Sequence, residues 1–327
     1  MKCLITGSSG FIGYHVAKSL INSSNNVIGI DNHNDYYDVE LKKSRLNQLL
    51  KLEGNFDFFN YDLNDNDKLK NLFENNEFDV VIHLAAQAGV RYSIENPKAY
   101  IRSNIDGFFN VLDLSKDFKV PHLIFASSSS VYGNNSEESF STSDFTDSPV
   151  SLYAASKKSN ELMAHSYASL YQMKITGLRF FTVYGEWGRP DMAYYSFAQK
   201  IFKGEQINLF NNGNLERDFT YISDIVDGIN NVMKIMPNYF DEKNYEVPFE
   251  LFNLGNNKPS KLRYFVQTIE KYCEKAAKLN FVEMQKGDVF RTAANLDKEK
   301  SIIKYSPVID LDSGIKNFIN WYKDYHK

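Results

Sequence analysis

Tyr153 and Lys157 lie four residues apart in the stretch Ser151-Leu-Tyr-Ala-Ala-Ser-Lys157. On a helix that spacing stacks two side chains on one face. The residues that follow, Lys158 to Ala164, are good helix formers with no Gly or Pro. A phenol beside an ammonium is an acid–base device in outline. An ordinary tyrosine has a pKa of about 10, so a useful base near pH 7 needs about 4 kcal/mol from its surroundings. A fixed cation nearby favours the phenolate. Tyr-x-x-x-Lys is also a common surface pair, so its meaning depends on the rest of the chain.

The first 31 residues supply one setting. Residues 2–6 read as an apolar strand, and Gly7-Ser-Ser-Gly10-Phe-Ile-Gly13 follows at once. Tyr14–Ile21 reads as a helix with Val16, Ala17, Leu20 and Ile21 on one side, and Val27–Ile30 as a second strand ending at Asp31. Glycines at a strand-to-helix turn let the backbone approach a pyrophosphate, and the helix N-terminus offers unpaired N–H groups. Asp31 lies 18 residues after Gly13. Its carboxylate suits ribose hydroxyls and repels a 2′-phosphate, and no Arg follows it directly. NAD is therefore expected rather than NADP.

Strands and helices keep alternating. Strands are predicted at Phe56–Tyr61, Val80–Leu84, His122–Ala126 and Lys174–Phe181, with helices at Lys68–Glu74, at Pro97–Lys116 and from Tyr153 onward. Regular β/α alternation predicts an α/β fold, a doubly wound parallel (Rossmann) sheet with ligands at the carboxyl ends of its strands. Gly7, Asp31, Asp62, Ala85, Ser128 and Thr182 all follow strands and should meet at one edge. After residue 182 the rhythm breaks. Residues 1–182 are read as the nucleotide-binding domain and 183–327 mostly as a smaller substrate-binding domain, with segments near 215–255 returning to the sheet. Pro237–Pro248 is read as an irregular surface excursion.

Composition narrows the class. The chain has 327 residues, 43% hydrophobic and 24% charged, enough for a full core. Lys plus Arg number 37 and Asp plus Glu 41, a balance that gives no electrostatic reason to expect nucleic acid or an anionic membrane. The two cysteines, Cys3 and Cys273, lie far apart and make no disulfide framework or metal-ligand spacing, and the six histidines show no metal spacing; no metal is expected. No apolar run reaches membrane-spanning length and no signal-peptide pattern opens the chain, so the expected compartment is the cytoplasm.

Thr6-Gly-x-x-Gly10-x-x-Gly13, Asp62-Leu63, His83-Leu-Ala-Ala86, Ser127–Ser130 before Val131-Tyr-Gly133, Tyr153-x-x-x-Lys157 and Arg217-Asp-Phe219 together span nearly the whole chain. With them it resembles the extended short-chain dehydrogenase/reductases of the nucleotide-sugar epimerase group. Ala126–Gly133, Arg179-Phe-Phe-Thr-Val-Tyr-Gly185 and Trp187-Gly-Arg-Pro-Asp-Met-Ala193 resemble the UDP-glucuronate 4-epimerases in particular. The resemblance implies a tightly bound, self-regenerating NAD held by Gly7, Gly10, Phe11, Ile12, Gly13, Asp31, Asn32, Asp62, Leu63, Leu84, Ala85 and Ala86, with Tyr153 and Lys157. It implies that Tyr153 takes the C4 hydroxyl proton as hydride passes to NAD, that Lys157 lowers the tyrosine pKa and holds the nicotinamide ribose, and that Ser128 relays the proton. The 4-keto sugar then turns over and is reduced on its other face. It implies Arg217 as a clamp for the diphosphate, Asp288 on the uridine ribose and Arg91 as a further substrate contact, and a homodimer through the helices at 97–116 and 153–171.

Which sugar is held is a separate matter. A 4-keto uronic acid is a β-keto acid and loses carbon dioxide unless its carboxylate is held out of alignment. Ser129, Ser130 and Thr182 are short donors at adjacent strand ends, and Arg189 is a candidate for an additional charged contact, to the carboxylate or the phosphates. Each also has a local reading, since serines cap turns and Thr182 ends a strand. Asn104, inside a helix, suits a packing or backbone-bonding role as well as a functional one. Related decarboxylases and dehydratases place an acid after the catalytic hydroxyl, where this chain has Ser129 and Ser130. Two residues depart from the pattern, Glu216 before Arg217 and Phe290-Arg291 after Val289. The alternatives are a UDP-glucose 4-epimerase, a UDP-glucuronate decarboxylase and, from another class, a non-catalytic nucleotide-binding protein.

Overall fold

The computed structural model describes residues 1–135, 137–284 and 289–327. Strands β1 (Lys2–Thr6), β2 (Asn26–Ile30), β3 (Phe56–Phe59), β4 (Val80–His83), β5 (Leu123–Ser128) and β6 (Ile175–Phe180) form one parallel sheet, joined at its edge by Phe249–Leu254. The order runs β3-β2-β1-β4-β5-β6 and then Phe249–Leu254. The chain reverses direction across the sheet between β1 and β4, which opens the crevice where such sheets bind ligands. Inner strands are buried on both faces: β4 reads Val-Val-Ile-His and β1 carries Cys3, Leu4 and Ile5 at 0% exposure. Thr6 Oγ1 meets His83 Nδ1 at 2.9 Å and accepts from Ala85 N, locking the ends of β1 and β4 in register. Burial pulls the His83 imidazole down to about 3, so it stays neutral in the core.

Helices α1 (Phe11–Asn22), α2 (Val39–Leu50) and α3 (Asn66–Glu74) follow the first three strands. The pattern of apolar residues does not mark α2. Its Asp38 side chain caps the Glu40 amide, and its buried positions are Leu41, Lys42, Arg45 and Leu49. Two long basic residues on the inward face blur the apolar stripe that marks a helix.

Two further segments differ from expectation. The helix predicted at Pro97–Lys116 has a π-helical section, Ile101–Asp106, between helical turns. The extra residue turns Asn104 inward, and it is 1% exposed. Pro237–Pro248 is not irregular at first: one helix runs from Ile222 to Lys243 through Pro237. Proline removes a backbone bond and strains the turn before it, but Met233, Met236 and Phe240 are buried on either side and hold the stripe together.

The rest packs as smaller pieces. Thr182–Tyr184 pairs with Phe219–Tyr221, Glu216–Arg217 with Ser260–Lys261, and Gln206–Leu209 with Lys278–Phe281. The last helix, Leu311–Tyr325, seals them with Ile315, Phe318 and Ile319. Among the described residues no helix is long and apolar enough to cross a membrane.

Candidate active site

The first wall of the site is the turn after β1. Gly7 sits at φ +72°, and a Cβ there would lie 2.8 Å from Ala85 N. A Cβ on Gly13 would lie 2.1 Å from Gly7 O. Only glycine allows this turn. Gly10 leads into α1 with no side-chain cap, so the first amides of the helix face the cavity as an anion cradle. Asp31 closes the wall: it accepts from Ser9 N at 3.2 Å and from His33 N at 2.9 Å. Asp62 accepts from Asn64 N at 2.9 Å and lies 3.1 Å from Arg102. Partial burial raises its carboxyl, but the bonds from Asn64 and Asn32 and the Arg102 charge hold it below its ordinary value. Turn, helix end and acid together fit a dinucleotide such as NAD.

The second wall is the catalytic corner. Ser151 caps the helix Leu152–Tyr171 by accepting from Ala154 N at 3.1 Å, so Tyr153 and Lys157 lie in its first two turns. Lys157 is 2% exposed and its ammonium donates to Ala126 O at 2.9 Å. Burial pulls it down to about 8. Burial dominates and holds the Tyr153 phenol above its ordinary value, with the Ser128 hydroxyl and the Arg189 guanidinium offsetting part of that rise. Here the electrostatic help comes from a different direction than the helix spacing suggested, since the lysine is engaged with β5. Ser128 ends β5 and accepts from Ser130 N at 3.1 Å, which caps the turn Ser129–Tyr132.

Below the corner lies a buried frame. Arg179 on β6 grips Glu161 with two bonds of 2.8 Å, and Ser127 donates to the same carboxylate at 2.6 Å. Asn104 accepts from Gln87 N at 2.7 Å and donates to Gln87 O and Ser156 Oγ, while its carbonyl accepts from Asn160. It ties the loop after β4 to the catalytic helix, so it has a backbone-bonding role.

The third wall carries Thr182, Arg189, Arg91 and Arg217. Arg189 pairs with Asp191, its Nε donating at 3.0 Å, and Tyr36 donates to the same carboxylate at 3.1 Å. The Arg91 guanidinium lies 4.7 Å from the Phe210 ring centre. Arg217 donates to Glu216 O and Phe290 O. The two departures noted in the sequence answer one another. Glu216 and Arg291 bridge in parallel, and their charged groups lie 3.6 Å apart. The acid beside Arg217 is therefore balanced by its own cation.

All three walls enclose one cavity of about 800 Å³. Every residue singled out above for NAD, catalysis or substrate lines it except Asp288, which lies outside the described residues. Tyr36, Tyr37, Lys42 and Asp191 line it too and were not singled out. They sit on a loop, at the start of α2 and in an irregular turn, where periodicity is silent. Lys42 donates to Asn34 O and Oδ1 at 2.5 and 2.7 Å, securing the loop after Asp31.

Comparison with known proteins agrees with this geometry. Residues 3–247 match the family described as the NAD dependent epimerase/dehydratase family. A probable UDP-glucuronate 4-epimerase of Rhizobium meliloti is 44% identical over 98% of this chain and 97% of that protein. UDP-glucuronate 4-epimerase 1 of Arabidopsis thaliana is 46% identical over 100% of this chain and 77% of that protein. Among solved structures, the UDP-glucuronic acid 4-epimerase of Bacillus cereus in complex with UDP-glucuronic acid and NAD superposes with a TM-score of 0.91 at 32% identity, covering 99% of this chain and 100% of that one. This chain belongs to the NAD-dependent epimerase/dehydratase family.

Proposed function

We propose that the protein is an NAD-dependent UDP-glucuronate 4-epimerase, interconverting UDP-glucuronate and UDP-galacturonate. One observation carries the reading. A dinucleotide cradle, the Ser128–Tyr153–Lys157 corner, and three hydroxyls with an arginine share one cavity. The relatives named above, at 44% and 46% identity, support it.

NAD held in the Gly7–Gly13 turn supplies a two-electron acceptor beside C4 that is restored in every turnover, so it stays bound. Tyr153 Oη, as phenolate, takes the proton of the C4 hydroxyl. Ser128 Oγ bonds the same oxygen and keeps it aligned through the change from alcohol to ketone. Lys157 holds the nicotinamide ribose, fixed by Ala126 O. After the sugar ring turns over and presents its other face for reduction at C4, Tyr153 returns the proton to the C4 oxygen. Ser129, Ser130 and Thr182 bond the carboxylate and hold the C5–C6 bond out of alignment with the ketone, which suppresses loss of carbon dioxide. No carboxylic acid stands at the two positions after Ser128 to act as a further acid or base. Arg217 and Arg91 serve the diphosphate, where charge-assisted bonds are strongest.

Two coarser features complete the reading. Ile101 and Phe109 on one helix and Leu162, Leu170 and Tyr171 on the next are exposed, which supports a homodimer through these helices. Leu162→Glu should yield a monomer by light scattering. The unpaired Cys3 and Cys273 thiols suit the cytoplasm.

Proton NMR of products from purified protein given UDP-glucuronate, with no NAD added, tests the function. UDP-galacturonate is expected. Carbon dioxide and a UDP-pentose would instead mark a decarboxylase. Conversion of UDP-glucose alone would mark a UDP-glucose 4-epimerase, and no turnover of either sugar a non-catalytic binding protein.

A further inference from the structure

Arg45 is 0% exposed, does not line the cavity and faces no carboxylate in an ion pair among the described residues. A buried charge in that position must be balanced by dipoles, and all five of its N–H groups are used. Nε and one Nη2 hydrogen reach Trp187 O at 2.9 and 2.6 Å, and the other Nη2 hydrogen reaches Gly188 O at 2.9 Å. Nη1 donates to Ser9 O at 3.0 Å and to the Tyr37 hydroxyl at 2.8 Å. One planar fork thus grips the back of the Gly-rich turn on one side and the residues just before Arg189 on the other. Ser9 is held from both ends, its amide by Asp31 and its carbonyl by Arg45.

The loop it grips does not hold itself. Trp187 sits at φ +56°, a left-handed conformation that an aromatic residue adopts only when its surroundings impose it. Its ring is wedged between Tyr14, Trp321 and Tyr325 at centroid distances of 5.6, 5.2 and 5.2 Å. A side chain at Gly188 would strike the Tyr194 hydroxyl. His15 on α1 meets Glu186 O at 2.9 Å. All these contacts aim the next residue, Arg189, at Asp191, Tyr36 and the cavity.

We propose that Arg45 is a positioning residue. It fastens the loop carrying Arg189 to the dinucleotide turn, so that preference for an anionic sugar depends on a side chain outside the pocket. The selectivity part rests on the UDP-glucuronate reading, while the fastening does not.

The test is Arg45→Lys, which keeps charge and stem but loses the fork. Calorimetric binding of UDP-glucuronate and of UDP-glucose to NAD-loaded protein is compared in wild type, in Arg45→Lys, in Arg189→Met and in the double variant. Arg45→Lys should weaken UDP-glucuronate by about tenfold and leave UDP-glucose and NAD content unchanged, and it should add nothing in the Arg189→Met background. Equal weakening of both sugars, or additive losses in the double variant, overturns the proposal. Amide exchange on wild type keeps the question open to refutation if the variant does not fold. NAD should slow exchange at residues 187–189 as well as at 7–10, and protection confined to 7–10 overturns the fastening. If wild type binds both sugars equally, the substrate reading and the selectivity part fall together, and the exchange result alone decides the fastening.

Discussion

The catalytic corner and the Arg189 loop face each other across one cavity but are built in opposite ways. Ser128 is the last residue of a strand, and Tyr153 and Lys157 occupy the first turns of a capped helix. Their positions follow from backbone hydrogen bonds. The Arg189 loop has no regular structure from Gly185 to Met192, and side chains from α1, α2 and the last helix hold it. The difference teaches where each property resides. On the proposed reading, proton transfer rests on elements that backbone hydrogen bonds place, whereas the contribution of Arg189 to holding the sugar rests on a loop placed by distant side chains.

Tyr153→Phe breaks the corner most severely. It should lower turnover by roughly 10²–10⁴-fold, with NAD released from denatured protein unchanged. Equal activity would remove Tyr153 from the base role, and lost NAD would show that the corner also builds the cofactor site.

Lys157 sharpens the corner in a second way, through stability. Its ammonium is held at about 8 against an ordinary 10.5. Below pH 8 the fold must bury a charge, so the penalty is fully present. Between pH 8 and 10.5 the native state has shed a proton that the unfolded chain retains, and stability rises with pH. Urea unfolding of wild type relative to Lys157→Met should therefore improve by about 3 kcal/mol across that window. A flat difference would mean that the lysine is solvated.

The smallest effect joins the two regions. Arg189 helps draw the Tyr153 phenol down. Arg189→Met should raise the pKa of the base, moving the acidic limb of the pH–kcat profile to higher pH. An unmoved limb would confine Arg189 to binding.

What could be read from the sequence divides along the same line. The Gly7–Gly13 turn, Asp31, the strand ends and the Tyr153–Lys157 pair announce themselves because backbone periodicity fixes them. All line the cavity. The helix α2 stayed hidden because Lys42 and Arg45 are buried where apolar residues are expected. The helix through Pro237 stayed hidden because packing by Met236 and Phe240 overrides a strong local signal. The bond from Arg45 to Trp187 spans 142 positions and leaves no trace in spacing. Glu216 and Arg291 looked like separate departures because only the fold shows them side by side.

Epimerisation in deuterium oxide tests the chemistry of the corner most directly. If Tyr153 and Ser128 handle only the hydroxyl proton while the carbon-bound hydrogen leaves C4 and returns within the closed site, UDP-galacturonate formed from UDP-glucuronate should keep protium at C4 and C5. Deuterium at C4 would contradict internal return, whereas deuterium at C5 alone would show that the 4-keto intermediate enolises toward C5 and exchanges with solvent.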